Sequence, residues 1–512
     1  MRLLARTGAA AVAGIAAGLS FEPFHWVVLL PAAIAVLTLL CVGVRRRSGF
    51  WLGAVFGTAF MLVLLPWLTV IAVYAWVPLA VLEGLFYGLA GLATAAATRP
   101  GRPLPGWPVG AACAWVLLEA LRGAVPFGGF PWGRLAFAVE DTPVAPALAY
   151  VGAAGVTFLV ALLGATLAWA ALRVRRTPVR AVAGVLAAAL LACVASVVPW
   201  QATRPGDPQV SVAAVQGNVP GAGLDAFSER RVVLDNHVTA TEELARRIAA
   251  GDAEQPDLVV WPENSSDIDP YADASVGTDV AGAARAVDAP LLMGAVVGDR
   301  ADAGWYNRAI VWSRNGVPGA FYDKTHPVPF GEYIPLRSLM APRISALQQI
   351  PSDMIRGTRP GVLQLGRARV GVLMCFEVAY DGLLRDLVRG GAGMIVVPTN
   401  NATYTGTGQI EQQFAMSRMR AIETGRYVVV ASTNGISGIV AADGSVVERA
   451  PQREQVVLQA PVTLVDRDTP ATILGRWPEL AMSALAVLAV LASLLPGRSR
   501  RRRTVFGGRG RR

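Results

Sequence analysis

Eight apolar runs, most of them near the ~20 residues that cross a bilayer's hydrocarbon core, limit this chain more than any other feature. They lie near 5–21, 25–44, 50–71, 77–97, 107–121, 148–172, 181–200 and 478–495. Arginine clusters sit between them in a regular order: Arg2 and Arg6 before the first, Arg45, Arg46 and Arg47 after the second, Arg99 and Arg102 after the fourth. Arg173, Arg175, Arg176 and Arg180 separate the sixth and seventh. With eight spans, all of these clusters and the tail after the last span fall on one side, the cytoplasmic one. The long segment 204–475 then lies outside the cytoplasm.

Composition agrees. The 512 residues are 54% hydrophobic and 16% charged, against about 45–50% and about 25% in soluble domains. A secretory signal peptide is the alternative reading of the first run, but further spans follow at once. The net charge of +10 does not point to nucleic acid, because residues 497–512 carry eight arginines and no acid. Such a tail beside an apolar helix reads as topogenic or lipid-facing. Four units are expected: a seven-helix region (1–203), an extracytoplasmic domain (204–475), an eighth helix (476–496) and a basic cytoplasmic tail (497–512).

Cys41, Cys113 and Cys193 fall in or at the ends of predicted helices, where a thiol behaves as a small hydrophobe. Cys375 is the one cysteine of the exported segment. It is either a packing residue or a functional thiol, and its cysteine content alone leaves both open. Apolar strands at 209–216, 257–263, 290–297, 308–313, 369–377, 393–400 and 427–434 alternate with helix-like stretches at 228–250 and 409–425, the pattern of a layered α/β domain. Glu263, Lys324 and Cys375 each end or follow a strand, where reactive groups of open sheets gather. An acid, an ammonium and a thiol suit nucleophilic acyl transfer. Among three histidines only His326 could serve as a rival base, and no metal-ligand spacing appears.

In the settings WPEN, YDKTHPVPFGEYIP and GVLMCFE, the triplet Glu263, Lys324 and Cys375 resembles the carbon–nitrogen hydrolase (nitrilase) superfamily. Together with eight spans it is similar to the apolipoprotein N-acyltransferase family. Further matches are VQGNVP (215–220), RMRAIETGRY (418–427), STNGIS (432–437), GGFPWGRLAF (128–137) and YVGAAGVTFLV (150–160). The resemblance implies a polytopic α-helical membrane region carrying an α-β-β-α sandwich. It implies a multi-pass protein of the bacterial inner (cytoplasmic) membrane, acting without cofactor or metal as a monomer. Its partners would be a phospholipid acyl donor and a diacylglyceryl-modified apolipoprotein acceptor, with no nucleic acid. Cys375 would carry the acyl group as a thioester, Glu263 would be the general base and acid, and Lys324 with the Phe376 N–H would hold the oxyanion. Glu332 would support the lysine, and Glu377 matches the acid that follows the nucleophile. The chain departs from the family at Phe376, often tyrosine, at Phe227, where a tryptophan is common, and at Asn400–Thr403. A membrane-anchored amidase and a scaffold with a dead hydrolase domain are the competing readings.

Single residues carry narrower expectations. Glu83 and Glu119 are acids within spans, and Glu119 is expected to pair with Arg122 at a helix end. Trp132 is an interfacial anchor or a substrate contact. Arg418 and Arg420 are expected to brace the domain through ion pairs, and the segment 340–360 is a candidate lid.

Overall fold

The computed structural model describes residues 2–71, 73–101, 103–221, 230–299, 304–342 and 352–494. The arginine tail, residues 343–351 of the candidate lid, Phe227 and Arg102 lie outside the described residues. An α-helix stands at each of the eight apolar runs: α1 (Arg2–Gly18), α2 (Leu29–Cys41), α3 (Arg46–Leu64), α4 (Val73–Ala97), α5 (Trp107–Arg122), α6 (Leu148–Arg173), α7 (Pro178–Cys193) and, at the far end of the chain, α14 (Trp477–Leu494). Five helices among the described residues are long and apolar enough to cross a membrane, and α1 and α2 are shorter apolar helices.

Small residues set how these helices pack. Gly49, Gly53 and Gly57 of α3 face Gly84, Gly88 and Gly91 of α4. A Cβ on Gly91 would lie 2.1 Å from the Gly49 oxygen and one on Gly49 2.5 Å from the Gly91 oxygen, so the two backbones touch where any side chain would part them. Helix α6 is broken at Gly152, whose φ of 65° and ψ of −178° suit glycine almost alone.

Between α7 and α14 the described residues form twelve strands, β1 (Gln209–Gln216), β2 (Leu258–Val260), β3 (Leu291–Gly298), β4 (Trp305–Trp312), β5 (Pro318–Asp323), β6 (Val362–Leu365), β7 (Ala368–Val372), β8 (Met394–Thr399), β9 (Val428–Ser432), β10 (Gly438–Val440), β11 (Val446–Arg449) and β12 (Val456–Thr463). The helices among them are α8 (Arg230–Ala250), α9 (Ala274–Ala286), α10 (Arg337–Met340), α11 (Asp381–Arg389), α12 (Gln409–Thr424) and α13 (Pro470–Leu474). The strands form two six-stranded mixed sheets, ordered β12-β1-β2-β3-β4-β5 and β11-β10-β9-β8-β7-β6. Both follow the same pairing pattern: a parallel central trio (β1-β2-β3 and β7-β8-β9), one antiparallel strand on one flank and two on the other.

Alternation along β1 explains the layers. Val212 and Ala214 enter the core between the sheets with Val260, Val370, Val372 and Val396. Ala213 and Val215 turn the other way, against Leu234 of α8 and Val276 and Val280 of α9. The outer face of the second sheet, with Ile395, Val397, Val428 and Val430, packs on α11 and α12, and this cluster runs on without a break into Trp132, Phe137, Leu148 and the helices α1 to α6. One helical layer of the sandwich is therefore fused to the membrane-type helices by a common apolar core.

Buried ions stitch the same junction. Arg134 pairs with Glu119 of α5, Asp381 of α11 and Glu479 of α14. Arg420 pairs with Asp381 and Glu423, as expected of a bracing residue, and Arg418 does so with Glu140 and Asp141. The expected Glu119–Arg122 pair does not form. Arg122 Nη1 donates to Glu83 Oε2 (3.2 Å), Phe130 O (2.9 Å) and Trp132 O (2.6 Å). Glu119 turns instead to Arg134, the Leu135 N–H and the Thr157 hydroxyl. Both side chains bond to neighbouring segments rather than to each other, although Arg122 Nε and Nη2 stay without a hydrogen-bond partner among the described residues.

Candidate active site

Glu263, Lys324 and Cys375 come from different strands and meet at the same edge of the two sheets. Lys324, just past β5, is 2% exposed. Its Nζ donates to Glu263 Oε1 at 2.8 Å and to Glu332 Oε1 at 3.0 Å. Asn307 Nδ2 donates to the same two oxygens, both at 2.8 Å. Glu263 Oε2 accepts the backbone N–H of Asn400 at 2.9 Å, and Glu332 Oε2 accepts that of Val328 at 2.7 Å. Each carboxylate is thus held from several directions, which fixes both carboxyl planes.

Cys375 follows β7 and opens a 3-10 helix, Cys375–Ala379. Its φ is +54°, a left-handed conformation that costs a non-glycine residue on the order of 1–3 kcal/mol and persists only where surroundings impose it. Glu377 imposes it. Fully buried, it accepts the N–H of Met374 (2.9 Å), the N–H groups of Thr325 (2.8 Å) and His326 (2.9 Å), and the hydroxyl of Tyr322 (2.9 Å). It ties the turn before the thiol to the loop after the lysine. The N–H groups of Cys375 and Phe376 lie in the first turn of the 3-10 helix, where no intrahelical acceptor exists.

The electrostatics divide the roles. Burial and the Glu263 carboxylate push the Cys375 thiol up to about 12, with Lys324 and the Thr399 hydroxyl pulling the other way. Burial would lower the Lys324 ammonium, but Glu263, Glu332 and Cys375 overcome it and hold the lysine well above its ordinary value. The resting site therefore carries a neutral thiol beside a permanent cation. Were this sulfur to act as a nucleophile, its proton would have to leave, and Lys324, already protonated, could not take it. His326 turns its ring onto Tyr380, centroids 4.3 Å apart, and burial and Arg356 depress it to about 4, so it stands neutral.

Residues 13–166 match the apolipoprotein N-acyltransferase N-terminal domain, and residues 211–469 match carbon-nitrogen hydrolase. A protein named apolipoprotein N-acyltransferase from Mycolicibacterium smegmatis is 38% identical, over 94% of this chain and 83% of that protein. The chain belongs to the apolipoprotein N-acyltransferase family. A relative of the same name from Chromobacterium violaceum is 30% identical over 96% of this chain and 94% of its own. Among solved structures, an amidase from Nesterenkonia sp. AN1 aligns at 19% identity over 54% of this chain and 97% of that chain, with a TM-score of 0.39.

In this N-acyltransferase-family chain the nucleophile turn is roofed by the membrane-type region. Phe376 stacks on both Phe130 (5.5 Å, 26°) and Trp132 (5.6 Å, 4°), which also stack on each other (6.5 Å, 24°), so the three rings form one cluster. Trp132 is 1% exposed and so is not a lipid-interface anchor. Sequence reasoning missed Asn307, whose signal was a lone amide on the apolar strand WYNRAIVW. It also missed Thr399, which no local pattern marks. As for metals, Glu22, His25 and Glu140 offer ligand atoms within 4.8 Å of one another. Arg418 Nη1, 3.1 Å from Glu140, already supplies positive charge there.

Proposed function

We propose that this chain transfers a fatty acyl group from a membrane phospholipid to the N-terminal amine of the S-diacylglyceryl-cysteine of apolipoproteins, through a thioester on Cys375. Glu263 accepts the thiol proton as sulfur attacks the ester carbonyl. Lys324 and the Phe376 N–H hold the tetrahedral oxyanion. The lysophospholipid oxygen departs with the proton from Glu263, leaving the thioester. The acceptor amine then attacks, gives its proton to Glu263, and the sulfur leaves as a thiol with that proton. Glu332 and Glu377 keep the lysine and the nucleophile turn in place. The observation that carries this reading is the pairing of a cationic Lys324, 2.8 Å from Glu263, with a thiol turn packed on Phe130 and Trp132 of the membrane-type region. That arrangement lets a lipid acyl chain reach sulfur without crossing water.

The same reading gives eight membrane spans, a cytoplasmic arginine tail and an extracytoplasmic catalytic domain over 204–475 in a bacterial inner membrane. The arginine distribution supports it. Purified protein incubated with phospholipid should gain one acyl mass on Cys375, absent in Cys375→Ala and discharged by a diacylglyceryl peptide. An adduct that survives Cys375→Ala ends the proposal. Discharge by water at the same rate as by the peptide favours a hydrolase instead.

A further inference from the structure

Helix α12 carries three glutamines on its first turns, and they face two ways. Gln409 and Gln413 accept the Asn401 amide, each at 2.9 Å, and Gln413 Nε2 donates to the Thr399 hydroxyl at 2.7 Å, a hydroxyl that pulls the Cys375 thiol down. Gln412 faces the membrane-type region. Its Oε1 accepts Trp132 Nε1 at 2.7 Å and Trp67 Nε1 at 3.1 Å. Its Nε2 donates to Glu22 O at 2.9 Å and Leu64 O at 3.0 Å. The carboxamide's two lone pairs and two N–H groups are all used, and every partner belongs to the helical region.

Trp132 is the ring that lies 4° from parallel on Phe376, and Phe376 bears the N–H assigned to the oxyanion. We infer that Gln412 is a positioning residue that locks Trp132 over the nucleophile turn, with Trp67 packed behind it, so that the membrane region completes the oxyanion site. This rests on the acyl-transfer reading above. Only an amide serves at this place. A carboxylate would set negative charge against two carbonyl oxygens, and an apolar side chain would leave two buried indole N–H groups unsatisfied.

The test uses the full chain in detergent and three readouts: the single-turnover rate of Cys375 acylation by phospholipid, the lipid concentration at half-maximal rate, and alkylation of Cys375 by iodoacetamide, which forms no oxyanion. Gln412→Leu should slow acylation about 10- to 100-fold, with half-saturation and alkylation within about twofold of the parent. Trp132→Phe keeps an aromatic ring against Phe376 and loses the indole N–H that Gln412 accepts, so it should slow acylation in the same selective way. The double variant should be no slower than the worse single one. Parent-like acylation in both single variants overturns the inference, and so does a parallel loss of acylation and alkylation. Failure of the parent chain to acylate at all would instead refute the reaction itself.

Discussion

At the residue scale the site works through opposed charges around one neutral thiol. Glu263 raises the Cys375 thiol and is the base in the proposed mechanism, so the two effects can be separated. Glu263→Gln should cut acyl transfer about 10²- to 10⁴-fold yet speed iodoacetamide alkylation at fixed pH, since the carboxylate that disfavours the thiolate is gone. Slower alkylation would contradict that assignment. A second titrating group lies away from the chemistry. His237 is fully buried, with Nδ1 on the Val233 carbonyl (2.7 Å) and Nε2 accepting the Gly217 N–H (3.2 Å), and burial lowers it from 6.5 to about 4. A depressed folded value means the unfolded chain binds the extra proton. Its contribution to stability is complete above pH 6.5 and is lost as pH falls towards 4, on the order of 3 kcal/mol in all. Melting of the parent between pH 7 and 4.5 should show this slope, and His237→Gln should flatten it.

At the element scale, glycines decide where helices may bend or touch. The break at Gly152 frees the Ala153 N–H, which reaches Glu423 Oε1 at 3.3 Å, so a helical interruption becomes a contact with α12. Gly152→Ala would force a Cβ to 3.1 Å from that carboxylate oxygen in a conformation only glycine holds easily. The expected loss is on the order of 1–3 kcal/mol, read as a lower melting temperature in detergent. An unchanged melt would mean that α6 can straighten without cost. The short 3-10 helix after β7 shows the opposite case, with a non-glycine residue, Cys375, held at positive φ by a buried glutamate.

At the scale of the whole molecule, the two halves are not a domain on a tether. They share an apolar core and the ion network of Arg134, Asp381, Glu119 and Arg420. Arg134 and Arg420 hold the Asp381 carboxylate below its usual range against the effect of burial. Arg134→Met should destabilise by about 3–5 kcal/mol, because it strands buried carboxylates. Adding Asp381→Asn should recover part of that, as a melting series on the single and double variants would reveal. Tagging or protease protection should find residue 375 outside the cytoplasm, and a cytosolic location would remove the proposed access to lipid-anchored acceptors.

Much of this was legible in one dimension. Hydropathy placed a helix at each of eight apolar runs, five of which, among the described residues, are long and apolar enough to cross a membrane, and strand-end logic with the WPEN, YDK and MCFE settings marked Glu263, Lys324 and Cys375. The short strands β10 and β11 were not legible: β11, at the edge of its sheet, has all four residues of VVER exposed, and neither strand shows an apolar-polar alternation. Glu119's partner was misjudged because a pair three residues apart looks closer in sequence than Arg134 is in space. Sequence alone determined what is local and periodic: the apolar runs, the strand alternation and the chemistry of each side chain. Only the tertiary structure decided that Gln412 meets Trp132 across 280 positions and Trp67 across 345, because a buried amide takes whichever donors and acceptors packing brings to it, and packing has no period to read.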